Sequence, residues 1–252
     1  MYLLLCMLAL TDIVLSSSVI PKALCIFWFN LNTITLAGCV TQIIFLTTVS
    51  ITYSAVLVAM AFDRYIAICS PLRYATILSN ARITKMGLVG LMRGLLCTLP
   101  LPVLLSRLPF CGTRIIPHTY CEPIAVAKIS CGDLTGYRIY GLVLNIFLIG
   151  LDLSLIVLSY CLIFRAVLRI SSKKVHHKAL NTCTSHLCVV LMYQSCGLFS
   201  TVSHRFGQGI APPVHVILGN FYVFVPPMLN PIIYGVKTKV LRDRKSKYIS
   251  RL

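Results

Sequence analysis

Six stretches of the chain are almost unbroken in apolar residues: Tyr2 to Ile20, Leu36 to Ala61, Thr84 to Leu105, Leu142 to Phe164, Leu180 to Val202 and Val214 to Tyr234. Each approaches the roughly 20 residues that an α-helix needs to cross a ~30 Å hydrocarbon core. Apolar and polar positions do not alternate within them, as the strands of a membrane barrel would require. The pattern predicts an all-α membrane protein with six spans. Composition sharpens the point: 58% of the 252 residues are hydrophobic and only 12% are charged, where a soluble domain carries about 25%. The first stretch lacks a basic leader and holds Asp12 mid-span, so it reads as a span and not as a secretory signal.

A formal charge of +17 would suggest nucleic acid in a soluble protein. Sixteen of the 23 lysines and arginines, however, fall on one set of linkers and the tail, and six on the other set. That asymmetry is the positive-inside bias, which places the richer side and the C-terminus in the cytosol. The charge is topogenic and suits a lipid membrane; no nucleic-acid motif accompanies it. Six alternating spans then put Met1 on the cytosolic side. Local charge at the first span argues the other way, because Lys22 follows it and no Lys or Arg precedes it. Poor insertion of the chain is the expectation.

The linkers divide the single domain of residues 1–252. The segment 106–137, broken by Pro109, Gly112, Pro117, Pro123 and Gly132, reads as a structured outer loop, and 165–178 as a basic cytoplasmic linker. In the tail, 236–252, Val236, Val240 and Leu241 face Lys237, Lys239, Arg242, Arg244 and Lys245, a pattern for a short amphipathic helix on the inner leaflet. Cys39, at the outer end of the second span, and Cys111, Cys121 and Cys131 in the outer loop are the thiols on the oxidising face. Four thiols allow three pairings, and spacing does not choose among them.

Ionisable groups inside lipid are costly and mark function. Asp12, Arg93 and Asp152 lie within spans, and Asp63 and Arg64 at an inner helix end. Asp152 reads as a satisfied polar residue of the bundle. Pro231 interrupts the last span beside Asn230, whose amide can satisfy the freed carbonyl or pair with Asp12. No metalloprotease, nucleophile-elbow or phosphate-loop motif is present, so an enzyme is not expected. No internal repeat points to an inverted-repeat transporter.

Met60-Ala61-Phe62-Asp63-Arg64-Tyr65-Ile66-Ala67-Ile68-Cys69 resembles the signature of the odorant receptors, a branch of the rhodopsin-like G-protein-coupled receptors. The likeness continues through Ser159-Tyr160, through Lys178 to His186 (KALNTCTSH), and through Pro227-Met228-Leu229-Asn230-Pro231-Ile232-Ile233-Tyr234. His204-Arg205-Phe206-Gly207 and Gly235 to Lys239 are similar to the fish-like, class I subgroup. The motifs occur in order on the expected spans and cover the whole chain.

The resemblance implies six spans of a seven-helix receptor bundle, starting at the family's second helix. It implies a small volatile odorant as ligand, carboxylic acids among the candidates, and a stimulatory heterotrimeric G protein of olfactory type as partner. Asp63, Arg64, Tyr65, Tyr160, Asn230, Pro231 and Tyr234 would form the G-protein switch. Phe199, Ser200, Thr201, His204 and Arg205 are pocket candidates, with Arg205 suited to gripping a carboxylate bidentately. The disulfides implied are Cys39–Cys121 and Cys111–Cys131, and Asp12 takes the place of a sodium-site acid. The motif also accounts for Cys183 and His186, so neither metal nor cofactor is expected. Three positions depart from the pattern. Tyr53 stands where the family's third helix carries Glu, Thr47 replaces an upstream His, and the linker reads Lys173-Lys174-Val175-His176-His177. A solute transporter or channel, and an inactive product of a degraded receptor gene, remain the rival readings.

Overall fold

The computed structural model describes residues 1–29, 33–110, 116, 119–169, 173–206 and 212–237. Long helices dominate: α1 (Tyr2–Phe29), α2 (Leu36–Cys69), α4 (Asn80–Thr98) continued by α5 (Pro100–Ser106), α7 (Thr135–Leu168), α8 (Lys173–Phe206) and α9 (Pro212–Lys237). A 3-10 turn (Pro71–Arg73) and the one-turn α3 (Tyr74–Ile77) follow α2, and the short α6 (Pro123–Lys128) sits in the outer loop. The fold is the all-α membrane bundle expected. Among the described residues the extended pairing is limited to one isolated bridge, Phe110 with Ser130.

Helix ends differ from the apolar limits, for a physical reason. Hydropathy marks the part of a helix in lipid, whereas backbone hydrogen bonds carry the helix on into the aqueous layers. With 34 residues, α7 is about 51 Å long at 1.5 Å per residue, well beyond the hydrocarbon core. The first span was expected to end at Ile20, yet α1 runs through Pro21 to Phe29. Proline removes one donor but has a helix-compatible φ, and beyond it Lys22 Nζ donates to the Thr33 carbonyl at 2.7 Å. The basic linker was placed at 165–178, but α7 continues to Leu168 and α8 begins at Lys173. Arg165 falls in the last turn of α7, where a cation complements the helix dipole. The third block is one span whose bond ladder is interrupted at Leu99–Pro100, with Leu99 still at helical angles. The expected amphipathic helix of the tail lies beyond Lys237, outside the described residues.

The central element is α2, against which α1, α4, α7 and α8 all pack. Its start is fixed by Thr35, whose hydroxyl accepts from the Gly38 N–H at 3.1 Å, an N-cap that satisfies one orphan donor. Around it α1 buries Leu4, Leu8, Asp12, Leu15 and Val19, one face at helical spacing. On its other faces Leu10, Ile13 and Phe27 are exposed, as apolar side chains solvated by lipid are. Two glycines let α4 approach α2 closely. A Cβ on Gly94 would lie 2.7 Å from the Thr48 carbonyl oxygen, and one on Gly90 would lie 2.8 Å from the Ala55 Cβ. Small residues at such contacts let backbones pack tightly in lipid.

At one end of the bundle the Cys39–Cys121 disulfide joins α2 to the loop. Gln42 reinforces the join, accepting from the Cys121 N–H at 2.9 Å and donating to the Ser18 carbonyl at 2.9 Å. Glu122 caps α6 by accepting from the Ala125 N–H at 2.6 Å. A small core of Ile43, Leu101, Leu105, Val126 and Tyr137 lies beneath. Cys131 is also disulfide-bonded; Cys111, its expected partner, is outside the described residues. The opposite end carries Arg64, Met1 and the C-terminal end of α9.

Candidate functional site

Three polar layers follow one another along the bundle axis. Nearest the disulfide end is a cavity of about 220 Å³ lined from α1, α2, α4, α5, α7, α8, α9 and the loop. Its walls include Leu15, Leu46, Leu148 and Val223, and its polar groups include Ser50, Ser54, Asp152 and Gln194. Asp152, only 1% exposed, faces Arg93 in a two-pronged ion pair, with Nη1–Oδ1 at 2.6 Å and Nη2–Oδ2 at 2.9 Å. Arg93 Nη2 also reaches the Ile51 carbonyl at 3.3 Å. Ser54 donates to Asp152 Oδ2 at 2.6 Å, and Gln194 Nε2 donates to the Ser54 oxygen at 3.2 Å. Four helices thus converge on one carboxylate.

The logic of that convergence is desolvation. An ionised group at this depth costs several kcal/mol unless a counter-charge and hydrogen bonds replace its hydration. The guanidinium supplies both in fork geometry. The outcome is an ion-paired floor beneath a largely apolar chamber. Sequence reading noted Arg93 and Asp152 separately and did not pair them. The available signal was that opposite charges stood near mid-depth in two spans.

The second layer begins at Tyr193, which lines the cavity and stacks on Tyr53 with ring centroids 4.3 Å apart. Tyr193 donates to the Ser50 carbonyl at 2.8 Å. Tyr53 is fully buried, and its hydroxyl oxygen accepts from Asn230 Nδ2 at 2.6 Å. The same amide nitrogen reaches both oxygens of Asp12, at 2.8 and 3.1 Å. Tyr53, where the resemblance expects an acid, is therefore the ring that joins cavity floor to α9. Neither its stacking partner nor the role of Tyr193 was evident from spacing.

The third layer surrounds Arg64. Asp63 accepts from the Tyr74 hydroxyl at 2.7 Å, and the Met1 amino group lies 3.2 Å from the same oxygen. Burial and the neighbouring Asp63 carboxylate push the Tyr74 phenol up to about 12, so it remains a donor at neutral pH. Arg64 is half-buried and forms no ion pair among the described residues. Tyr160, Cys183, His186 and Tyr234, from α7, α8 and α9, stand around it. Tyr160 and His186 Nδ1 share a hydrogen bond of 2.7 Å. Tyr65 is half-buried against the main core. Tyr234, one turn beyond Asn230 on α9, is buried, with Pro231 exposed between them. The Tyr234 hydroxyl has no hydrogen-bond partner among the described residues.

Of the pocket candidates, Thr201 lines the cavity. Phe199 does not, and is 56% exposed on the outer surface of α8. The side chains of Ser200, His204 and Arg205 are outside the described residues. A bundle of long apolar helices, with a polar-floored cavity at one end and Asp63-Arg64-Tyr65 at the other, defines a rhodopsin-like receptor. The chain belongs to the olfactory receptor family, which it matches over residues 1–251. It is 49% identical to human olfactory receptor 52B2 over 243 residues, covering 96% of this chain and 75% of that one. Human olfactory receptor 52D1 is 46% identical over 250 residues, with 99% and 79% covered. These relatives are class I receptors. The chain is accordingly a G-protein-coupled odorant receptor of the plasma membrane, crossing it several times, and not an enzyme.

Proposed function

We propose that the cavity between α2, α7 and α8 receives the odorant, and that its floor relays occupancy to the Arg64 end. The supporting observation is the unbroken contact series from Tyr193 through Tyr53 and Asn230 to Asp12. It joins the cavity-lining helix α8 to the proline-interrupted α9. An odorant that packs better against one setting of Tyr193 shifts a two-state bundle, and a differential affinity of a few kcal/mol is sufficient. A chamber below the ~300–1,000 Å³ that holds drug-sized ligands suits a small volatile.

In this reading the Arg64 end and the C-terminus face the cytosol, in line with the distribution of basic linkers, and Arg64 engages a stimulatory heterotrimeric G protein. Carboxylic acids are the ligand class, with Arg205 on the last turn of α8 as their anchor. A cAMP reporter in cells expressing the receptor, challenged with short acids and their alcohols and esters, tests this. Arg205→Gln should weaken acid agonists by ~1.5–3 kcal/mol, the range of a charge-assisted hydrogen bond, and leave the neutral analogues nearly unchanged. Equal losses for both classes would remove Arg205 from ligand recognition, and no response to any acid would remove the ligand class.

A further inference from the structure

The outside of the bundle carries a second hollow, a lipid-facing groove of about 540 Å³ between α2, α4 and α7. Its origin is geometric: α4 and α7 each pack on α2 and scarcely on each other, meeting at the Arg93–Asp152 pair. The small side chains of Ala55, Ala59 and Gly90 line the groove. Its sides are apolar, with Val58, Met86, Val89 and Leu155 prominent.

The two ends of the groove are unlike. At the Arg64 end stand Arg82 and Lys85, both exposed in the first turns of α4. Arg82 is held in place, its Nη1 donating to the Ile77 carbonyl at 2.9 Å. At the other end lie Arg93 and Asp152, which line both this groove and the inner cavity. Asp152 is the carboxylate among the described lining residues, and it is committed to Arg93, so no acid offsets Arg82 and Lys85. Eleven residues separate Arg82 from Arg93, about 16 Å along a helix.

We infer that this groove seats one anionic phospholipid, with its headgroup on Arg82 and Lys85 and an acyl chain along Val89 and Leu155 to the Arg93–Asp152 pair. Charge complementarity selects the head, since two uncompensated cations at an interface favour an anionic lipid over a zwitterionic one. The apolar length selects a hydrocarbon chain over a soluble anion. The chain end then covers the exposed part of the Arg93 side chain in the ion pair. The inference rests on the reading that the Arg64 end faces the cytosolic leaflet, where anionic lipids are enriched. Its test needs neither odorant nor G protein, so its failure is separable from that of the signalling scheme.

The receptor is reconstituted in phosphatidylcholine vesicles containing a trace of phosphatidylserine with a photoreactive acyl chain, and adducts are mapped by peptide mass spectrometry. A phosphatidylcholine probe with the same chain is the comparison. The expected result is at least fivefold more adduct from the phosphatidylserine probe on the peptides holding Val89 and Leu155. In R82Q/K85Q that preference should vanish, while V89W, which fills the groove, should lower labelling by both probes. On the wild-type receptor alone, unlabelled phosphatidylserine should compete at least fivefold better than phosphatidylcholine, which keeps the test decisive if a variant misfolds. Equal labelling by the two probes, adducts spread evenly around the bundle, or an intact preference in folded R82Q/K85Q would each overturn the site.

Discussion

Two of the buried aspartates, Asp152 and Asp12, are solved in opposite ways. Asp152 meets a guanidinium, a hydroxyl and, one bond further, the Gln194 amide. Asp12 is met by the Asn230 amide alone among the described residues, with Tyr53 completing that cluster. The first arrangement pairs the carboxylate with a guanidinium and ties four helices together. The second is a neutral-partner cluster beside a proline-interrupted helix, and is easier to rearrange. A receptor needs both: a rigid floor against which a ligand is read, and a soft joint that carries the reading onward. The contrast teaches that a charge inside lipid is not by itself a switch; what decides is whether its partners leave it an alternative.

The largest expected effect breaks the rigid layer. Arg93→Met leaves Asp152 buried without its counter-charge and should cost about 3–5 kcal/mol, read as loss of surface delivery and a lowered unfolding temperature. The double variant R93M/D152M should recover much of that loss, because removing both charges removes the desolvation penalty. A single variant as stable as wild type would contradict the ion pair's place in the core. Next, Asn230→Ala should cost about 1–3 kcal/mol, the penalty for an unsatisfied buried partner. The loss is smaller because no cation is paired with Asp12 among the described residues. Tyr53→Phe should have the smallest effect on stability, ~0.5–1.5 kcal/mol, since the ring stack on Tyr193 survives and only the hydroxyl contact goes. If Tyr53→Phe proved as damaging as Arg93→Met, the soft and rigid layers would have to be exchanged. At the disulfide end, non-reducing peptide mapping should join Cys131 to Cys111; Cys131 joined elsewhere would overturn that pairing.

Much of this was legible in the chain. Uninterrupted apolar blocks located the spans, because lipid demands apolar length. Motif order placed Arg64, Tyr160, Asn230 and Tyr234 on their helices. Helix ends were not legible: Pro21 looks like a boundary, yet α1 runs on to Phe29, and the basic stretch 165–178 is entered by helix from both sides, to Leu168 and from Lys173. Nor were partners across helices legible. Asp152 and Arg93 are 59 residues apart, and their meeting depends on how α4 and α7 lean on α2. Tyr53 looked like a lost acid, and only packing revealed it as a stacking partner of Tyr193. Local sequence specifies which residues lie in lipid; the rotation of each helix, set by contacts such as Gly90 and Gly94 on α2, decides which of them meet.

The central claim, that the cavity signals through the bundle to Arg64, is tested most directly by Arg64→Ala. The measurement is agonist-evoked cAMP at surface levels matched to wild type, alongside odorant-induced thermal stabilisation of the purified receptor. The predicted result is abolished cAMP output with stabilisation by the odorant retained, since Arg64 lies at the opposite end from the cavity. Undiminished cAMP from the Arg64→Ala receptor would contradict the account.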